Sequence, residues 1–235
     1  MLQNNWLALL VTFALAFSWL RINNYLAYRG WIDSQDSRKI IHIGTGPLFV
    51  LCWPLFTEAA SSRYIAALVP LVITLQFILI GLGLWKDESA VQSMSRSGDR
   101  REILRGPLIY GIVFVILTIL YWTNSPIGII ALMLMCGGDG LADILGRHYG
   151  NHKLPWSPRK TWMGSIGMLI GGWTLAIAVL AIYIGIGFFK GPLSNYLIPV
   201  TVIALAGTFV ESLPYPDIDN LTVTLTAVFV GYLFF

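Results

Sequence analysis

Eight apolar runs divide this chain, at about residues 6–20, 41–56, 64–85, 107–122, 126–138, 164–189, 196–213 and 221–235. Crossing about 30 Å of hydrocarbon takes roughly 20 apolar residues per helix, so the runs use most of the chain. Charged residues make up only 11% of the 235, whereas a soluble domain carries about a quarter, and this excludes an ordinary cytosolic globule. The 56% hydrophobic content excludes disorder as well. The expected fold is an all-α, polytopic integral membrane protein of about eight transmembrane helices. The fifth run is short and closes on Gly137-Gly138-Asp139-Gly140, which predicts a broken helix whose backbone lines a protein-enclosed cavity. Cys52 and Cys136 lie inside apolar runs and read as packing residues.

The charges order the connections. Thirteen of the fifteen Lys and Arg residues fall in the first, third and fifth: Arg21, Arg29, Arg38 and Lys39, then Lys86, Arg96, Arg100, Arg101 and Arg105, then Arg147, Lys153, Arg159 and Lys160. With eight spans these connections share one side, cytoplasmic by the positive-inside rule, and both termini lie opposite. The seventh connection, 211–220, joins that side with three carboxylates and no cation. One face therefore gathers the charge, as an enzyme acting on a cytosolic anion requires. Met1 to Asn5 hold no basic residue, so the first run reads as a retained span rather than a signal or transit peptide. That predicts a prokaryotic inner or thylakoid membrane, such as a cyanobacterial one.

The densest chemistry runs from Gly137 to Ser165. A helix opening at Gly140 puts Asp139 and Asp143 one turn apart on one side, a pair suited to Mg²⁺ and the phosphates it shares. Gly138 and Gly140 would admit a phosphate to bare backbone N–H groups at the helix start. The plainer alternative pairs Asp143 with Arg147. Lys153, Arg159 and Lys160 follow in a loop stiffened by Pro155 and Pro158, placed to clamp a nucleotide triphosphate; topological anchoring is their plainer role. Glu211 ends the seventh span, and Asp219 with Asn220 starts the eighth. Either carboxylate can complete a metal shell or accept a proton, and helix capping is the competing reading. His42, at the start of span two, suits a base or a phosphate contact, or an interfacial bond to a backbone carbonyl. Arg101 and Arg105, with Glu102 between them, read as a second tier of site residues or as an ion-pair network.

The run from Gly138 to Ser165 resembles the signature of the membrane-bound polyprenol kinase family. This family includes phytol, farnesol and dolichol kinases and is related to phosphatidate cytidylyltransferases. Pro155-Trp156-Ser157-Pro158-Arg159-Lys160-Thr161-Trp162-Met163-Gly164-Ser165 is closest to the phytol kinase form. Three further segments match in order: Arg38-Lys39-Ile40-Ile41-His42-Ile43-Gly44, Ser97 to Pro107, and Glu211-Ser212-Leu213-Pro214 with Asp219-Asn220-Leu221-Thr222-Val223. The resemblance implies one membrane-embedded kinase domain over 1–235, with nucleotide-site loops at about 21–40, 86–106, 137–165 and 211–220. It implies CTP-dependent transfer of the γ-phosphoryl group to a prenyl alcohol such as phytol, farnesol or geranylgeraniol, in phytol salvage for tocopherol and isoprenoid synthesis. Carried onto this chain, it makes Asp139, Asp143, Lys160, Glu211, Asp219 and His42 catalytic, with Asp139, Asp143 and Asp219 on the metal. Gly138, Gly140, Arg147, Lys153, Arg159, Lys160, Ser165, Asn220, Arg38, Lys39, Arg101 and Arg105 would meet the nucleotide. Met163 stands where dolichol kinases tend to carry Glu, which argues against dolichol. Ile218 precedes Asp219-Asn220 where many relatives have a second acid, which weakens Asp217 as a ligand.

Two rivals fit parts of this pattern. A phosphatidate cytidylyltransferase would attack the α-phosphorus and release pyrophosphate. A transporter would use Asp139 and Asp143 as ion ligands, but it would show related halves and midplane acids. Nucleic-acid binding has only a mild positive balance in its favour. The expected partners are membrane lipid, a prenyl alcohol and a nucleoside triphosphate.

Overall fold

A computed structural model describes residues 2, 4–95, 97–215 and 218–235. Arg96 of the charge pattern and Asp217 of the seventh connection lie outside them. The chain forms two compact units, Met1–Leu120 and Tyr121–Phe235.

In the first unit, α1 (Asn5–Tyr28) starts where Asn4 accepts from the backbone N–H groups of Trp6 and Leu7, satisfying donors that a helix start leaves open. Asn5 donates to Ser62 Oγ at 3.0 Å and accepts from the Thr57 amide at 2.8 Å, tying the start of α1 to that of α3 (Ser62–Leu82). Between them, α2 (Ser34–Cys52) is capped by Asp33 and takes Asp36, Arg38 and Lys39 into its first turns. Helix α3 stops at Gly83, whose φ of 79° is the left-handed conformation that ends helices. Short helix α4 (Glu88–Met94), capped by Asp87, and a 3₁₀ turn over Arg100–Leu104 lead into α5 (Gly106–Leu120).

The second unit is built around one buried helix. α6 (Pro126–Met133) opens with Ser125 as cap and Pro126 in its first turn, continues through a π-helical segment over Leu134–Gly138, and becomes α7 (Asp139–Tyr149). The expected break at Gly137–Gly140 is therefore absent: one 24-residue helix, Pro126–Tyr149, runs through it. Gly137 and Gly138 pack closely against α8 (Trp162–Gly185). A Cβ on Gly137 would stand 2.7 Å from the Gly171 carbonyl, and one on Gly171 only 2.4 Å from the Gly137 carbonyl. Small residues on both sides thus let α7 and the π segment approach α8 backbone to backbone. A two-stranded antiparallel hairpin, β1 (Lys153–Leu154) and β2 (Ser157–Thr161), joins α7 to α8. Helices α9 (Ser194–Glu211) and α10 (Asp219–Gly231) complete the unit.

Among the described residues, six helical segments are long and apolar enough to cross a membrane: Asn5–Tyr28, Ser62–Leu82, Arg100–Leu120, Pro126–Tyr149, Trp162–Gly185 and Ser194–Glu211. Their outward residues, among them Leu10, Leu75, Ile116, Ile170 and Phe209, are large, apolar and exposed, the surface that lipid requires and water disfavours. The chain is an all-α multi-pass membrane protein. The remaining two apolar runs also become helices. One opens with charged turns in α2, and the other is the 13-residue α10, about 20 Å long at 1.5 Å per residue.

Candidate active site

Three acids from three helices converge in the second unit. Carboxylate oxygens of Asp139, Glu211 and Asp219 all lie within 4.8 Å of one another. Asp139 is the first residue of α7, Glu211 the last of α9 and Asp219 the first of α10. Asp139 is 9% exposed and Glu211 3%.

Lys160 reaches this cluster from strand β2, one residue before its end. Its ammonium donates to Glu211 Oε1 and, at 2.9 Å, to Asp219 Oδ2. Burial works against the charge on Lys160, but the two carboxylates beside it outweigh burial and hold its pKa above the ordinary lysine value. The hairpin is anchored at both ends. Thr161 caps α8 by accepting from the Gly164 amide at 3.0 Å, and Gly146 and Gly150 of the α7 end close around the Thr161 side chain. At the turn, the Trp156 indole donates to Ser212 Oγ at 3.1 Å and meets the Trp162 ring edge-on.

Asp143, expected beside Asp139, is not one of the three clustered acids. Asp143 accepts from Arg147 Nε at 3.1 Å, one turn along α7. Asp219 and Asn220 do not cap α10, which starts after Ile218 without a side-chain cap bond. Asp219 faces Lys160, while Asn220 Oδ1 is buried with no hydrogen-bond partner, as are Ser165 Oγ and Ser157 Oγ. Buried polar atoms of this kind are costly unless something satisfies them. Lys153 and Arg159 are exposed on the hairpin, and Arg147 is exposed at the end of α7. Gly138 packs on Met168 of α8, and Gly140 is buried within α7. His148 and His152 are exposed.

The first unit holds the other candidates. The Tyr110 hydroxyl donates to the His42 carbonyl at 2.7 Å, and the two rings lie 4.3 Å apart. Lys39 is buried, Arg101 lies in the 3₁₀ turn capped by Asp99, and Arg105 ends that turn. Arg38 lies in the second turn of α2.

The donor set of the acid cluster is all oxygen, drawn from three converging carboxylates. It suits a hard divalent cation such as Mg²⁺ and offers no soft ligand for zinc or copper. Sequence reasoning placed Asp139 and Asp219 with Asp143 on the metal and offered Glu211 to complete the shell; that Glu211 and not Asp143 stands in the cluster depends on how α7, α9 and α10 pack. It missed Trp156 as a tether and Ser157 as a buried hydroxyl. Only the crowded Pro155-Trp156-Ser157-Pro158 turn hinted at either.

The cytidylyltransferase family profile matches residues 3–213. "Probable phytol kinase, chloroplastic" of Triticum aestivum is 40% identical over all of this chain and 79% of its own length. The chain belongs to the cytidylyltransferase family, on its polyprenol kinase branch. "Phytol kinase 1, chloroplastic" of Arabidopsis thaliana is 42% identical over 89% of this chain and 70% of the relative. "Farnesol kinase, chloroplastic" of the same plant is 41% identical over 96% and 74%. No solved structure matches. The expectation of a prokaryotic membrane is corrected by these relatives, which are chloroplastic proteins of plants. It rested on a few residues at the start of the chain, and identity across its length outweighs them.

Proposed function

We propose that this polyprenol kinase transfers the γ-phosphoryl group of CTP to phytol, with farnesol and geranylgeraniol as further acceptors, in a plastid membrane. The observation that carries the reading is identity of 40–42% to plant phytol and farnesol kinases, in matches covering 89–100% of the chain. The acid–lysine cluster supports it, since phosphoryl transfer is mainly positioning and charge neutralisation.

Asp139, Glu211 and Asp219 would hold Mg²⁺, which when bound neutralises the oxygens of the phosphates being separated. Lys160, already charged and held among these acids, moves to the γ-phosphoryl oxygens. Asp143 fixes Arg147, and Arg147, Lys153 and Arg159 meet the α- and β-phosphates. Ser165 and Asn220 bring buried polar atoms that a nucleotide would satisfy. The alcohol oxygen attacks the γ-phosphorus, and the bond from that phosphorus to the β–γ bridging oxygen breaks. CDP leaves, and the hydroxyl proton passes to Glu211 or Asp219. The substrate chain stays in lipid, so only its hydroxyl has to reach the polar end of the helices.

The family also contains enzymes that attack the α-phosphorus, and product analysis separates the two chemistries. Membranes holding the chain, given phytol and γ-labelled CTP, should yield labelled lipid and unlabelled CDP. Labelled pyrophosphate with CMP joined to lipid would overturn the kinase reading.

A further inference from the structure

Helices α8 and α9 run antiparallel away from the acid cluster, because Lys160 and Trp156 at one end of α8 bond to Glu211 and Ser212 at one end of α9. A groove of about 440 Å³ lies between these helices, lined by Leu169, Ile170, Trp173, Thr174, Thr201 and Leu205. This volume is within the roughly 300–1,000 Å³ typical of ligand sites. Its indole and the Thr201 hydroxyl are turned to one another. Trp173 Nε1 donates to Thr201 Oγ1 at 2.9 Å, and Thr201 Oγ1 donates to the Leu197 carbonyl at 2.7 Å. What remains is an apolar trough with a fixed aromatic wall, bordered by exposed Ile170 and Leu205.

The two helices give overlapping depths for this trough. Along α8, Leu169 and Trp173 lie roughly 12 and 18 Å beyond Thr161, at about 1.5 Å per residue. Along α9, Leu205 and Thr201 lie roughly 9 and 15 Å before Glu211 by the same rise. Both ranges reach the depth of one leaflet, about 15 Å of hydrocarbon. An alcohol with its hydroxyl at Asp219 and Glu211 would carry its chain through this depth.

We propose that the α8–α9 groove is the subsite for the distal part of the prenyl chain, and that Trp173 and Leu205 set chain-length preference. This rests on the prenyl alcohol kinase reading above. Short alcohols would react without entering the groove, whereas phytol would draw binding energy from it.

The test uses the full chain in nanodiscs, with phytol and geraniol, a prenyl alcohol half its length, as acceptors. Leu205→Trp fills the trough from an exposed position, so folding should be unaffected. The phytol preference, read as the ratio of kcat/KM for phytol to that for geraniol, should fall about tenfold, with KM for CTP unchanged. An equal loss for both acceptors, or no loss for either, would overturn the subsite. A second measurement does not need turnover. A phytol analogue carrying a diazirine at its distal end should label peptides containing 169–173 and 201–205, and excess phytol should suppress this labelling. Labelling confined to other helices, or insensitive to phytol, would overturn the groove. Absence of phosphoryl transfer by the unmodified chain, with the labelling intact, would instead overturn the kinase reading.

Discussion

The indole of Trp156 and the hydroxyl of Ser212 are joined at 3.1 Å, so the turn of the hairpin is fixed to the residue that follows Glu211. Lys160 and Glu211 are thereby held at both ends of one short loop of contacts. Removing the bond in Trp156→Phe should free the hairpin while keeping most of its apolar area. A lost hydrogen bond of this kind is worth about 1 kcal/mol, so kcat should fall about tenfold at most, with KM for phytol little changed. Ser212→Ala should match it, and the double variant should be no worse than either single one, because both lose the same bond. Additive losses in kcat would show that the two residues act separately.

The acids predict a graded response. Asp139→Asn and Asp219→Asn each remove a carboxylate from the three-acid cluster. Losing one of these charges should cost several kcal/mol of transition-state stabilisation, a turnover drop of about 10³-fold. Asp143→Asn breaks the partly exposed pair with Arg147, worth a few tenths of a kcal/mol as an i,i+4 contact, and leaves the three-acid cluster whole, so its loss in turnover should be less than about tenfold. Chelation with EDTA should abolish activity in the unmodified chain, and Mg²⁺ should restore it. Equal damage from Asp139→Asn and Asp143→Asn would return Asp143 to the metal.

What the sequence made legible follows from the range of the physics. Hydrocarbon imposes its demand on each helix separately, so runs such as 64–85 and 164–189 could be located from composition alone. The identity of the acids was also legible, since carboxylates at span ends are costly without a role. That Glu211 and not Asp143 joins Asp139 and Asp219 was not, because the three acids meet only through the packing of three helices. The Gly137–Gly140 run misled for a related reason. Glycine signals a break when read locally, but here Gly137 and Gly171 permit a close helix crossing that depends on a partner remote in sequence. The hairpin over 153–161 was hidden by Pro155 and Pro158, which read as a stiff loop.

That crossing yields a stability prediction. Gly171→Leu would force a side chain against the Gly137 carbonyl and Leu141, where even a Cβ lies at 2.4 and 2.8 Å. Overpacking of this order costs about 1–3 kcal/mol, enough to lower the midpoint of thermal unfolding by several degrees in detergent. Gly185→Ala, with nothing within 4 Å of its added Cβ, is the matched control and should leave the midpoint where it was. A seam that tolerates leucine would mean that α7 and α8 are not locked together there.

Lys160 separates binding from chemistry. Its ammonium is shared between Glu211 and Asp219, yet the proposed reaction places it on the γ-phosphoryl oxygens, where negative charge builds as the β–γ bond breaks. A contact that strengthens in the transition state is lost from kcat more than from binding. Lys160→Ala should therefore lower kcat by about 10²–10³-fold, the usual scale for one electrostatic donor, while the Kd for CTP rises less than tenfold. Lys160→Arg keeps the charge but replaces a compact ammonium with a planar fork, and it should recover only part of the loss. Lys153→Ala, at the exposed residue of strand β1, should do the reverse, raising the Kd for CTP with kcat nearly preserved at saturation. Equilibrium binding of CTP beside steady-state kinetics on the three variants decides the matter. A Lys160→Ala chain that turns over normally once CTP is saturating would reduce this lysine to a partner for the acids.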